Sequence, residues 1–116
     1  MSLYADFVKE TVGWETLEDE DSFTTYEIKE IGKVKQLKVI EMFTRKEARG
    51  KNKWLSIMEE ITDIAKKESC TTLAAMISKN TSEFTQQRTA HLCQLFGMEK
   101  TYEDIFQIVY SKRILK

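Results

Sequence analysis

Apolar residues recur at helical spacing in three segments of the chain, which predicts three helices. The first segment ends before Gly13 and carries on one face Leu3, Tyr4, Phe7, Val8 and Val12. The second follows a basic loop and carries Trp54, Ile57, Met58, Ile61, Ile64 and Ala65. We predict that Asn80 caps the third segment, with Glu83 completing a capping box, and that Gly97 ends it. Its predicted buried stripe consists of Phe84, Leu92, Leu95 and Phe96.

Between these helices, runs of β-branched and aromatic residues predict strands. Residues 23–31 and 34–43 flank a turn at Gly32-Lys33, so we predict that they form an antiparallel hairpin. Residues 70–77 are apolar on both faces and predict a buried strand, while 98–102 and 105–112 predict a last hairpin around Glu103-Asp104. The acidic stretch 15–21 has few apolar residues and is interpreted as a solvated loop. Its alternative interpretation is a patch that attracts a cationic substrate.

The strand at 34–43 carries apolar residues on both faces, which is typical of the middle of a sheet. Strict alternation places Leu37, Val39 and Phe43 on one face, and Ile40 and Met42 on the other. Glu41 then shares the face of Val39 and Phe43, where a carboxylate is either paired, at the open end of the strand, or functional. This strand, the second helix and the strand at 70–77 form a βαβ unit with a right-handed crossover. The order of elements predicts an α/β (α+β) fold.

Composition narrows the class of protein. The chain has 116 residues, 41% of them hydrophobic and 32% charged, as expected of one domain spanning 1–116. Its 18 basic and 19 acidic side chains create no global attraction to nucleic acid or to a membrane. Cys70 and Cys93 match no metal or redox spacing and favour a reducing compartment. Without a transmembrane-length apolar run or a signal-peptide pattern, we expect a cytoplasmic protein.

A cluster of basic residues lies between the central strand and the second helix. It consists of Arg45, Lys46, Arg49, Lys51 and Lys53. Because a helix N-terminus exposes unpaired N–H groups and the positive end of the helix dipole, cations just ahead of it create an anion site. We therefore expect a ligand that carries phosphate. Nucleic acid is the weaker alternative, since Trp54 is the one aromatic residue within the cluster.

The same segments contain several residues of a known sequence signature. Arg49-Gly50-Lys51 matches the beginning of R-G-x-G-x-[GA] between a strand and a long helix, Asn80 follows the next strand, and Gly97-Met98 replaces Gly-Phe. On these residues the chain resembles the GNAT superfamily of N-acetyltransferases over about residues 23–112. Asn52 and Trp54 depart from the signature, which has small residues there. The resemblance implies a mixed sheet of about five or six strands with helices on both faces, and it extends to short members encoded by bacteriophages.

The resemblance also implies a cofactor, acetyl-CoA, and the residues that bind it. In the family, the pyrophosphate lies on N–H groups of the loop and the first helical turn. The corresponding residues here are Arg49, Gly50, Lys51, Asn52, Lys53 and Trp54. The pantetheine arm would pair with main-chain groups of Met42, Phe43 and Thr44, and Asn80 stands at the family's asparagine. Ligands of open α/β sheets bind at the carboxyl ends of strands for topological reasons.

Acetyl transfer needs a neutral amine, so a base must accept a proton. Glu41 is the candidate base, and a structural ion pair is the equal alternative for it. Relatives carry a tyrosine on the last helix as general acid, but here that position is Leu92 and the next is Cys93, whose thiol is a candidate donor. A buried cysteine is more often a small apolar residue. His91, the single histidine, is interpreted as a surface or packing residue.

We therefore predict an N-acetyltransferase that transfers an acetyl group from acetyl-CoA to a primary amine of a small molecule or a protein. The alternative is a GNAT-fold protein that has lost catalysis and serves as a CoA-binding or protein-interaction module. Neither a metal site nor a hydrolase is indicated, because no His–acid constellation is present to activate a nucleophile. Exposed strand edges in so small a sheet also suggest a homodimer.

Overall fold

The structure is a computed structural model that describes residues 2–115, the side chain of Lys51 excepted. Its elements are α1 (Leu3–Val12), β1 (Glu15–Glu18), β2 (Ser22–Ile31), β3 (Val34–Thr44), α2 (Lys51–Lys67), β4 (Thr72–Ser78), α3 (Glu83–Leu95), β5 (Glu99–Glu103) and β6 (Gln107–Arg113). Within these residues the strands form one six-stranded sheet in the order β1-β2-β3-β4-β6-β5. Strands β3 and β4 pair in parallel, whereas the other neighbours pair antiparallel. The predicted α/β class and mixed sheet of five or six strands are confirmed.

The main core lies between the sheet and the pair α2 and α3. Its buried residues include Leu37, Val39, Ile57, Met58, Ile61, Ala65, Leu73, Ala75, Ile77 and Cys93. The residues from α2 recur at the spacing that the sequence predicted, so one stripe of this helix is removed from water. Each large apolar side chain buried there contributes roughly 1.5–3 kcal/mol to the hydrophobic driving force.

Helix α1 packs near β1 and β2 and buries Ala5 and Val8. Ser2 caps it, because its hydroxyl accepts a hydrogen bond from the N–H of Ala5 at 3.0 Å. The helix ends at Gly13, whose φ of 77° lies in the left-handed region that favours glycine. The predicted helix and its end at Gly13 are confirmed, whereas Leu3, Phe7 and Val12 of the predicted apolar stripe are more than half exposed.

A β-bulge at Ile40 changes the predicted faces of β3. Thr25 pairs with Glu41 but Tyr26 pairs with Val39, so Ile40 is an extra residue in β3. An extra residue reverses the alternation beyond it. As a result Met42 packs with the core on the side of Val39, whereas Glu41 lies on the opposite face with Thr25. The prediction that Glu41 shares the face of Val39 was therefore wrong.

The acidic stretch was also predicted incorrectly in part. Glu15–Glu18 form the edge strand β1, which pairs with β2, and the loop is confined to the residues that follow. Leu17 packs on the core, while Glu15 and Glu18 are exposed. A single inward-facing apolar residue is enough for a short edge strand, and outward charges are common there. That pattern resembles a loop when only composition is considered.

Helix α3 begins later than predicted. Ser82, not Asn80, is its cap, because its hydroxyl accepts from the N–H of Thr85 at 3.1 Å. Asn80 lies in the preceding turn, where its N–H donates to the hydroxyl of Ser78. Glu83 is consequently the first helical residue and cannot complete a capping box.

The predicted stripe of α3 was only half correct. Leu92 is buried and Phe96 packs against the core, whereas Phe84 and Leu95 are 75% and 53% exposed. Cys93, which the predicted stripe did not include, is fully buried. Leu95 follows Cys93 by two residues, or roughly 200° around a helix, so both cannot face the core. The predicted last hairpin is present as β5 and β6, with Asp104 accepting from the N–H groups of Phe106 and Gln107 in the turn.

Candidate functional site

The two parallel strands at the centre of the sheet separate towards their carboxyl ends. Their pairing runs from Gln36 and Thr72 to Val39 and Ala75, after which β3 continues to Thr44 without pairing to β4. The separation begins at the bulge at Ile40. Main-chain groups on one edge of this part of β3 are therefore directed into a gap in the sheet and not into a ladder.

A cleft with a volume of about 470 Å³ lies in this gap. Its walls are the ends of β3 and β4, the start of α2 and one face of α3. The residues that line it and that the sequence had singled out are Glu41, Met42, Phe43, Thr44, Arg49, Gly50 and Trp54. Thr85, Arg88 and Thr89 of α3 line it as well, and the sequence analysis missed them. A cleft of this size is typical of sites for small molecules and cofactors.

The N-terminus of α2 opens onto the cleft. Its cap is Gly50, which has no side chain to satisfy the first N–H groups of the helix. A Cβ built at Gly50 would meet no atom within 4 Å. The backbone there is extended, with a φ of 161°, so conformation does not require a glycine at this position. Its lack of a side chain instead leaves open space in front of an electropositive helix end.

Arg49 is held beside this helix end by two contacts. Its Nε donates to the carbonyl oxygen of Thr44 at 2.8 Å, and its guanidinium carbon lies 5.7 Å from the ring centre of Phe43. These contacts join the end of β3 to the start of α2 and keep a permanent positive charge at the cleft.

Trp54 is turned partly into the core. Its ring meets that of Phe96 edge-on, with the centres 6.1 Å apart and the planes at 87°. The indole thus packs between α2 and the end of α3, and it also forms part of the wall of the cleft. This packing accommodates the bulky side chain of Trp54 beside the helix end.

The acidic loop and the basic loop are bound to each other. Lys53 pairs with Asp19 at 2.7 Å, and the hydrogen bond lowers the pKa of that carboxyl to about 2, helped by N–H donors of the same loop. Arg45 donates through Nε to the carbonyl of Glu20 at 3.0 Å and through its backbone N–H to Asp21. The ion pair therefore engages Asp19 within the chain, which favours a structural role for the acidic loop.

Glu41 occupies the side of the cleft that faces α1. Its Oε1 accepts hydrogen bonds from the hydroxyl of Tyr4 and, at 3.1 Å, from that of Thr25. The bond to Glu41 is the main cause of a pKa of about 12 for Tyr4, so the phenol stays protonated near neutral pH. Among the described side chains Glu41 forms no ion pair with Lys or Arg. The structural ion pair considered for it is not found there.

Other residues predicted for the site lie elsewhere. Cys93 is fully buried in the core, and burial raises the pKa of its thiol to about 12. Neither Cys93 nor Asn80 is among the residues that line the cleft, whereas Leu92 is. Asn52 and Lys53 belong to the first turn of α2 but do not line the cleft. In the described part of the chain no group of His, Cys, Asp and Glu could hold a metal ion.

Comparison with solved structures places the whole arrangement in a known fold. A putative GNAT-family acetyltransferase from Desulfovibrio desulfuricans superposes with a TM-score of 0.71 at 10% identity, covering 95% of this chain and 77% of that one. The ribosomal-protein-S18-alanine N-acetyltransferase of Escherichia coli gives 0.66 at 9% identity, covering 100% and 79%. The NatC complex bound to Gag peptide and CoA gives 0.65 at 9% identity, covering 80% and 60%. The chain has the GNAT fold.

The GNAT fold here is supported by three-dimensional structure alone. No protein-family model and no curated protein sequence matches the chain. The chain spans only about 60% of the NatC chain and 58% of a GNAT-family acetyltransferase from Listeria monocytogenes. None of the helices in the described residues has the length and hydropathy needed to cross a membrane.

Proposed function

We propose that this protein is an N-acetyltransferase that transfers an acetyl group from acetyl-CoA to a primary amine. The observation that carries the proposal is the cleft itself. Two parallel strands separate after Val39 and Ala75, and the gap between them leads to a helix N-terminus without a side-chain cap. The fold it shares with GNAT acetyltransferases supports the same activity.

The residues at the cleft fit such a cofactor. The helix end at Gly50 offers N–H donors and open space to a diphosphate, with Arg49 beside it as a permanent cation. The free edge of β3 at Met42, Phe43 and Thr44 offers main-chain groups to the amide-bearing pantetheine arm. Lys51, Asn52 and Lys53 remain proposed contacts through the first turn of α2. The proposed contact of Asn80 is weaker, because Asn80 does not line the cleft.

Bound acetyl-CoA would supply an acyl group on a thioester. The task of the protein is then to deprotonate and orient the amine. Glu41 lines the cleft, is half-buried and carries no paired cation among the described side chains, so it suits the role of a base that accepts a proton from the ammonium group and leaves the neutral amine to attack the thioester. Cys93 is enclosed in the core, so we assign the protonation of the departing thiolate to solvent.

The class of acceptor is supported by the neighbours. Arabidopsis thaliana Naa50 was solved with a bisubstrate analogue that joins CoA to a peptide, and the E. coli enzyme acetylates an alanine of a ribosomal protein. The acceptors of both proteins are amines of polypeptides. We therefore propose a primary amine on a peptide or a small molecule as the acceptor.

The first test is calorimetric titration with acetyl-CoA, followed by release of free thiol with a panel of amines and peptides. We expect saturable binding and turnover. Replacing Glu41→Gln should lower kcat by about 10²-fold or more, as expected for loss of a general base, while acetyl-CoA affinity stays within about threefold. Glu47→Gln is the matched control, because this exposed glutamate lies in the turn between β3 and α2. Unchanged turnover in the Glu41 variant would refute the assignment of the base.

A second candidate function rests on specific residues. Leu92 occupies the position of the family's tyrosine and lines the cleft, while Asn52 and Trp54 depart from the signature. A protein with these changes that had lost catalysis would bind CoA without turning it over. Binding in the titration with no thiol release for any amine would favour this module over the enzyme.

A further inference from the structure

The N-terminal helix contributes a residue that contacts Glu41 from outside the cleft lining, and sequence reasoning assigned this residue to packing. Tyr4 lies in the first turn of α1, 37 positions before Glu41 in the chain. Its ring is held against Phe23, with the centres 5.1 Å apart, and Phe23 in turn stacks on Phe43 at 5.8 Å. These ring contacts restrict the directions that the phenol can take.

Two hydroxyl groups hold the carboxylate of Glu41. Thr25 is the cross-strand partner of Glu41, so its hydrogen bond follows from the pairing of β2 with β3. The bond from Tyr4 depends instead on the docking of α1. Both donors engage the same oxygen, Oε1, and among the described residues Oε2 has no hydrogen-bond donor.

A free glutamate side chain samples several rotamers, and fixing it costs conformational entropy. Two converging donors on one oxygen reduce that freedom in advance, which is the general requirement for an oriented catalytic group. The bulge at Ile40 turns Glu41 towards α1, which brings the carboxylate within reach of Tyr4.

We propose that Tyr4 is a positioning residue for Glu41: its hydroxyl anchors Oε1 and presents Oε2 to the amine. This inference rests on the proposed function for its catalytic consequence, but the contact itself does not. The phenol remains a donor through the neutral range, because its pKa lies at about 12.

The contact can be tested without any activity. In protein labelled with carbon-13 at tyrosine Cζ, an NMR titration should give Tyr4 a pKa of about 12 in the wild type and a pKa closer to the ordinary value of 10 in Glu41→Gln. The Tyr102 signal is the internal control, because its hydroxyl donates at 2.9 Å to Asp104 on the distant β5–β6 hairpin. A Tyr4 signal that is unaffected by Glu41→Gln would overturn the positioning contact whatever the protein catalyses.

The catalytic consequence is tested with Tyr4→Phe, which retains the ring against Phe23. We expect kcat to fall about tenfold, with acetyl-CoA affinity and acceptor KM unchanged, because Glu41 is present but poorly oriented. Tyr102→Phe removes an equivalent surface hydrogen bond and should leave kcat unchanged. An undiminished kcat in Tyr4→Phe would overturn the positioning role. Absence of wild-type turnover with any amine would overturn the proposed function and the catalytic role of Tyr4 together, even where the titration confirms the contact.

Discussion

Adding one methyl group at Gly50 separates the role of this glycine in folding from its role in binding. A Cβ at residue 50 meets nothing within 4 Å and the backbone is extended, so Gly50→Ala fits the free protein without a clash. The same methyl would lie in front of the first N–H groups of α2, where we place the diphosphate. We therefore expect a folded, stable variant that binds acetyl-CoA poorly.

The expected change in stability is small because two effects oppose each other. Alanine is a poorer N-cap than glycine, which costs about 0.5–1 kcal/mol. Alanine also reduces the conformational entropy of the unfolded chain, which stabilises by about 0.4–1 kcal/mol where the native backbone permits it. The net change in the free energy of unfolding should lie within about 0.5 kcal/mol of zero.

The expected change in binding is larger. Hydrogen bonds to a charged partner contribute about 1.5–3 kcal/mol each, so displacing the diphosphate from a single N–H should weaken acetyl-CoA about tenfold to hundredfold. Calorimetric titration measures the affinity, and urea unfolding measures the stability. Ser56→Ala is the control, since it alters an exposed side chain of the same helix without adding an atom, lies outside the proposed binding residues and should not weaken binding. If Gly50→Ala retained both stability and wild-type affinity, the diphosphate site at α2 would be wrong.

Two further predictions concern stability. The pKa of Asp19 is lowered in the folded state to about 2, so its stabilising effect is present above about pH 4 and is lost as the pH falls towards 2. In urea unfolding across this range, the free energy of unfolding should depend less on pH for Asp19→Asn than for the wild type. An unchanged pH dependence would refute the role of the pair with Lys53. Ile61→Ala should lower the free energy of unfolding by about 2–5 kcal/mol because this side chain is fully buried. Leu95→Ala, at a residue that is 53% exposed, should change it by less than about 0.5 kcal/mol. Equal losses in the two variants would contradict the observed packing of α3.

Much of the fold could be predicted because its signals are local. The stripe of α2 from Ile57 to Ala65 and the hairpin around Gly32 repeat with the period of their element, which depends only on neighbouring residues. The edge strand β1 escaped notice because its stability comes from pairing with β2 and from one inward residue, Leu17. The start of α3 was misplaced because both Asn80 and Ser82 belong to residue types that make good caps, and the cap observed is Ser82.

The candidate site likewise contains residues that local sequence patterns indicated and residues that they could not indicate. The lining residues Met42, Phe43, Thr44, Arg49, Gly50 and Trp54 belong to one strand–loop–helix unit, so their order in the sequence already indicated a shared location. Tyr4 and Thr25 could not be assigned in this way. Their contact with Glu41 joins three elements that are remote in sequence, and no local pattern distinguishes Tyr4 from the other apolar residues of α1.

The bulge at Ile40 explains how strand β3 can contribute both to the proposed cofactor site and to the orientation of the proposed base. Continued alternation would have placed Glu41 on the face of Val39, among the core residues that α2 covers, where an uncompensated carboxylate is costly. The extra residue instead turns Glu41 towards α1 and Tyr4 while returning Met42 to the core. The pairing with β4 stops at the same point, which frees the main chain of the following residues. A single insertion in β3 thus accompanies both the gap proposed for the cofactor and the orientation of the proposed base.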